Sequence, residues 1–170
     1  MSNGTPFWGK YRGTVVSNVD PMQIGRLQVL VPDVSGVMLS SWAMPCAPVA
    51  GMQSGMFALP IIGSGVWIEF ERGDPDYPIW VGCFWGTAAE VPATALAVPP
   101  AVPAITLQTP LQNAIQISDT PGVGGILLKT PTGAMLTIND VGITMTNGRG
   151  ATISMVGPTV DVNVGALTVT

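Results

Sequence analysis

The chain has 170 residues, 47% of them apolar, and a formal net charge of −4 from 6 basic and 10 acidic side chains, with no histidine. Charged residues are 9% of the sequence against about 25% in an average soluble domain, so much of the surface is uncharged polar or covered by other subunits. The six cations, Lys10, Arg12, Arg26, Arg72, Lys129 and Arg149, are too scattered to form a footprint for phosphates, and without histidine neither a Ser-His-Asp nor a Cys-His nucleophile can be assembled.

The first residues, Met1-Ser-Asn-Gly-Thr-Pro6, show no basic stretch followed by an apolar run, and no span of 18 uninterrupted apolar residues occurs. Neither a signal peptide nor a membrane-spanning helix is therefore expected. After this N-terminal arm, residues 1–9, strand-like segments separated by Gly, Pro and Asp fill residues 10–86. Tyr11 to Val19 and Gly25 to Val31 read as a hairpin through Ser17-Asn18-Val19-Asp20-Pro21, ended by Pro32-Asp33. Next comes Ser41 to Pro45. In Gly65 to Glu71, Val66, Ile68 and Phe70 share one face while Trp67, Glu69 and Glu71 share the other. Gly73-Asp74-Pro75-Asp76 turns the chain into Pro78 to Trp85. Five short strands without a helical pattern predict a small closed β-barrel.

Residues 87–110 shift to Ala, Val, Thr and Pro, with Pro92, Pro99, Pro100, Pro103 and Pro110. This composition excludes a helix or a central strand and reads as an extended, semi-rigid linker lying along a partner surface, a disordered connection being the alternative. Residues 111–170 alternate apolar and polar. One strand runs from Ala114 to Ser118, and the pattern restarts at Ile126, Ala134, Ile143, Ala151, Thr159 and Leu167, with turn residues between. Strands this short have one apolar face and nothing within their own unit to bury it against, so neighbouring strands and other chains must supply the cover. The inward candidates are Leu128, Leu136, Met145, Ile153, Val160, Val162 and Leu167; Gly157-Pro158 absorbs a shift of phase that would otherwise turn the next strand inside out.

Signals of chemistry are weak. Glu69/Glu71 and Asp74/Asp76 could serve as acid and base, but the first pair faces outward on a strand and the second flanks a turn proline. Gly122-Val-Gly-Gly125 precedes a strand and reads as a turn, since a phosphate cradle needs a following helix. Cys46 and Cys83 are expected to be buried free thiols, a disulfide being the alternative, and they are too few for a metal site. No cofactor is expected. The five tryptophans all precede residue 86, where packing or protein contact accounts for them better than stacking on bases, which needs a basic groove.

Tyr11-Arg-Gly-Thr-Val-Val-Ser-Asn18 followed by Asp20-Pro-Met-Gln-Ile-Gly-Arg26-Leu-Gln-Val-Leu-Val-Pro32 resembles the opening of the oligonucleotide/oligosaccharide-binding (OB) barrel in spike proteins of contractile injection machines. These are the phage baseplate assembly protein V family and the valine-glycine-repeat proteins of type VI secretion. The similarity continues through Trp42-Ala-Met-Pro45, Leu59-Pro60, Gly63-Ser-Gly-Val-Trp67-Ile-Glu-Phe70, Gly73-Asp-Pro-Asp-Tyr-Pro78 and Ile117-Ser-Asp-Thr-Pro-Gly122. It implies an all-β chain: an N-terminal OB-fold barrel, then a C-terminal intertwined trimeric β-helix with the seven inward residues on its axis.

The resemblance further implies a structural central spike rather than an enzyme, placed in a virion tail baseplate or in a cytoplasm-assembled or extracellular injection particle. Its partners would be two further copies of itself, a baseplate hub protein and, transiently, the target envelope. The strands run to Val169-Thr170 without a closing cap, and the resemblance implies a separate tip protein of the proline-alanine-alanine-arginine repeat type, contacting Leu167, Val169 and Thr170. Some relatives carry a lysozyme domain between barrel and helix; only the proline-rich segment stands there in this chain. An OB module binding oligosaccharide or nucleic acid, with a trimerising tail, is the alternative; its acidic barrel speaks against it.

Overall fold

The computed structural model describes residues 6–170, so residues 1–5 of the expected arm lie outside the described residues. The chain splits between Ala88 and Ala89 into two compact units.

The first unit contains β1 (Tyr11–Ser17), β2 (Gln28–Leu30), one helical turn α1 (Pro32–Ser35), β3 (Met44–Pro45), a hairpin of β4 (Ala50–Gly51) and β5 (Ser54–Gly55), β6 (Gly65–Phe70) and β7 (Pro78–Phe84). Five of these strands form one sheet in the order β2-β1-β6-β7-β3, antiparallel except where β3 runs parallel to β7. Bridges between Leu27 and Ala43 and between Leu30 and Leu39 tie the segment before β3 back to β2, which closes the barrel. Period-2 alternation supplies the core: Val15, Leu27, Val29, Val31, Val66, Ile68 and Phe70 are all buried. On the outside, Lys10 pairs with Glu69. Arg12 lies 5.2 Å from the Trp67 ring and 5.0 Å from that of Phe84. The Phe84 ring occupies the space of an absent side chain: a Cβ on Gly65 would come within 2.6 Å of it.

α1 stands where only a strand end was expected. Pro32 starts it, its fixed φ suiting the first helical position. Of the acidic pairs, Glu69 pairs with Lys10 on the outer face and Asp74 accepts the Asp76 amide at 3.1 Å in a turn, as expected, whereas Glu71 lies beyond the end of β6, in a one-turn 3-10 helix, and not on the strand. The cysteines do not: both are free and exposed, which corrects the expectation of buried thiols. Of the tryptophans, Trp8 and Trp85 are about two-thirds exposed, while Trp80 packs on the core and donates to the Gly25 carbonyl at 3.0 Å.

The connection from β1 to β2 is organised by Asp20. Its carboxylate accepts from the amides of Met22, Ile24 and Arg26 and from Nε and Nη2 of Arg26, at 2.7–3.2 Å. Arg26 in turn stacks 5.4 Å from the Trp42 ring. The Arg26 guanidinium, followed by these backbone amides, holds the Asp20 carboxyl well below the usual carboxylate range against the opposing effect of burial. Because the folded pKa is lowered, the stabilisation is complete above the ordinary Asp value and fades as pH falls below it. Asp20→Asn should therefore lower the urea midpoint of the barrel at pH 7, read by tryptophan fluorescence, and the gap to wild type should narrow below about pH 4.

The second unit holds a one-turn helix α2 (Ala93–Leu96) and eight strands: β8 (Ala104–Gln108), β9 (Ala114–Ser118), β10 (Gly125–Lys129), β11 (Ala134–Asn139), β12 (Gly142–Asn147), β13 (Thr152–Val156), β14 (Thr159–Val162) and β15 (Leu167–Val169). They form a single antiparallel meander in chain order. Strands β9 to β15 fall where the alternation placed them. Segment 87–110 differs from the expected linker, since it carries α2 and the edge strand β8. Pro103 and Pro110 flank β8 rather than interrupt it, and an edge strand tolerates flanking prolines that a central one would not. Gly125 takes φ +115°, and a Cβ there would sit 2.1 Å from the Ile138 carbonyl, so only glycine permits this close start of β10.

Candidate functional site

Residues opposite one another in an antiparallel pair share a face, so the register sorts the second unit into two surfaces. Ile105 and Leu107 of β8 face Ile117 and Ile115 of β9, which face Ile126 and Leu128 of β10, then Ile138 and Leu136 of β11. The row continues through Ile143 and Met145, Met155 and Ile153, Val160 and Val162, and ends on Val169 and Leu167. Every strand contributes two large apolar side chains to the row; among the described residues only Asn147, opposite Ala134 at the end of β12, adds a polar one to this face. Eight strands at ~4.8 Å spacing make this stripe about 34 Å long.

Within the described residues this face is largely bare. Ile105 is 64% exposed, Ile153 38% and Leu167 59%, while Leu136, Ile143, Val160 and Val162 are half-buried. Soluble monomers rarely carry so continuous an apolar surface. Covering the remaining area of sixteen such side chains would contribute on the order of 15 kcal/mol per chain, enough to outweigh a typical cost of association.

All seven inward candidates, Leu128, Leu136, Met145, Ile153, Val160, Val162 and Leu167, lie on this face, as does Val169. Sequence reasoning took one residue from most strands and missed its companion two positions away, although Ile126, Ile138, Ile143 and Met155 carry the same alternation. Ile105 and Leu107 fall in the segment read as linker, and Ile115 and Ile117 in the strand that precedes the repeats, so none of the four is among the inward candidates.

The opposite face is polar. Thr106, Gln116, Leu127, Thr137, Thr144, Ser154, Asp161 and Thr168 pair in one row across it. At the β8–β9 end, α2 covers it. Gln116 Nε2 donates to the Thr94 carbonyl at 2.8 Å and to Thr106 Oγ1 at 2.9 Å, leaving Ala114, Gln116 and Ser118 buried. A cleft of about 160 Å³ beside it, lined by Gln116, Ser118, Thr120 and Asn139, is smaller than a typical small-molecule site. On the barrel, Lys10 and Arg26 are ion-paired and Arg12 is spread over Trp67 and Phe84, so these cations do not line a groove suited to a phosphate chain.

A closed five-stranded barrel followed by a one-sided meander defines a modular β protein that self-associates through its second module. Comparison with family models agrees on both modules. The model described as the type VI secretion system/phage-baseplate injector OB domain matches residues 11–85, and that of the phage baseplate V C-terminal trimerisation domain matches residues 104–168. The chain belongs to the phage baseplate V family: it is a homotrimeric structural protein of the baseplate spike in a phage tail or tail-like injection machine. A comparison with curated proteins finds no match.

The register generates a test by paired substitutions. Ile153→Asp places a carboxylate between Met145 and Val162 on the apolar face, whereas Thr144→Asp places one between Thr137 and Ser154 on the polar face. The first should cost roughly 3–5 kcal/mol per chain in a buried interface and abolish the trimer at neutral pH in sedimentation equilibrium. Burial raises that carboxyl's pKa, so trimer should partly return in acid. The second should leave the trimer intact.

Proposed function

We propose that the protein is the central spike that links the baseplate hub to the tip and pierces the target envelope mechanically. The observation that carries this reading is the two-residue apolar stripe running through all eight strands of the second unit. Three such sheets brought together put Leu128, Leu136, Met145, Ile153, Val160, Val162 and Leu167 on a common axis, and make an intertwined rod with no open strand edge along its length, the unpaired edges of each sheet being β8 and β15 at its two ends. A rod of that kind transmits axial load when a sheath contracts, with no need for catalysis.

Hub contact would fall to the barrel. No charged residue lies between Asp33 and Glu69, and within that stretch the β4–β5 hairpin and the segment after it expose Met52, Phe57, Ile61 and Ile62. Uncharged apolar surface of this kind suits a permanent protein partner. At the far end of the sheet, β15 pairs on one side only, with β14. Leu167 and Val169 are more than half exposed there, and such an edge is a template for β-type pairing. We assign it, with Thr170, to a separate tip protein of the proline-alanine-alanine-arginine repeat type.

Reconstruction of particles from the native source should place three copies in line with the tail tube at the baseplate centre; copies at the periphery would refute the spike reading. Deleting residues 165–170 should abolish capture of the tip protein while sedimentation still reports a trimer. Undiminished capture would show that the tip binds elsewhere.

A further inference from the structure

Residues 91–170 contain five charged side chains, Asp119, Lys129, Asp140, Arg149 and Asp161, and the meander sorts four of them by sign. Asp119 directly follows Ser118, which pairs with Gly125, and Asp140 directly follows Asn139, which pairs with Gly142. Both acids therefore lie along one lateral side of the sheet. Lys129 closes β10 opposite Ala114 and Met135. Arg149 sits in the turn after Asn147, which pairs with Ala134. Both cations therefore lie along the other side. Asp161, in mid-strand, accepts the Gly165 amide at 2.8 Å and is engaged in its own turn. No ion pair among the described residues involves Asp119, Lys129, Asp140 or Arg149.

The apolar stripe by itself says little about chain direction. Two Ile, Leu, Met or Val side chains per strand look much the same after a sheet is rotated by half a turn about its own normal, with the stripe still facing inward. The lateral sides do not look the same. In a ring of parallel sheets every contact is heterologous, so the acidic side of one sheet meets the basic side of the next. Rotating one sheet end over end sets acid beside acid and base beside base. Individually such exposed pairs contribute little, but the repulsion in the wrong arrangement separates the two outcomes.

We propose that these segregated charges are a recognition edge for a second copy of this chain, selecting the parallel trimer in which all chains point the same way. The proposal rests on the trimeric reading above and adds what sets its polarity.

Three variants of the full chain test it: Lys129→Asp with Arg149→Asp, Asp119→Lys with Asp140→Lys, and all four changes together. Each is refolded from denaturant and its trimer fraction read by sedimentation velocity, in low salt and in about 0.5 M salt, where screening acts within about 4 Å. Each double reversal should lower the low-salt trimer yield several-fold, with the gap closing in high salt, and the fourfold exchange should restore wild-type yield. Double variants that refold like wild type in low salt would overturn the proposal. So would a fourfold exchange no better than the doubles, which also separates lost recognition from lost folding. A wild-type chain that is not a trimer would instead refute the trimeric reading.

Discussion

One constraint organises the second unit: an antiparallel meander has two faces, and this chain supplies cover for only part of one. α2 shields the polar face at the β8–β9 end through Thr94 and Gln116, while the Ile/Leu/Met/Val stripe has nothing from its own unit against it. Apolar area of that continuity has to leave water, and copies of the same sheet are the cover that the trimerisation domain supplies. The low charge content follows. A chain that spends half its length on an interface and on Thr-rich strands has few positions at which charge is needed for solubility.

The first unit solves the same problem internally. Its sheet curls until the segment before β3 bridges β2, and Val15, Val29, Val66 and Ile68 bury one another. The buried ionic group in this barrel is also self-contained, because Asp20 draws all five of its donors from Met22, Ile24 and Arg26. The chain thus joins a module whose core is complete in one copy to a module whose core is completed by association.

Much of this was legible in the residues. Period-2 alternation identifies Val66, Ile68 and Phe70 as inward, and the same period, restarting after each turn, finds β10 to β15 and the face on which Leu128, Leu136, Met145 and Ile153 lie. Segment 87–110 was not legible as structure, because proline frequency hides a five-residue strand whose pairing is decided by β9 rather than by its own composition. The one-turn helices α1 and α2 are too short to show a 3.6 period. The exposure of Cys46 and Cys83 contradicts a tendency that holds for cysteine on average. The sorting of charge by lateral side is invisible along the chain, where signs alternate from Asp119 to Arg149; it emerges only when each turn reverses direction.

The meander also bears on how the protein is made. Each strand from β8 to β15 pairs only with strands adjacent in sequence, so every contact within the sheet closes a short loop, and topologies of this kind form quickly. The encounter of three chains is then the slow event. Sheets formed before that encounter expose a stripe and open edges that any other strand-rich chain could pair with. Yield should therefore depend on how soon siblings meet, and chains emerging from neighbouring ribosomes on one message are the best placed to do so.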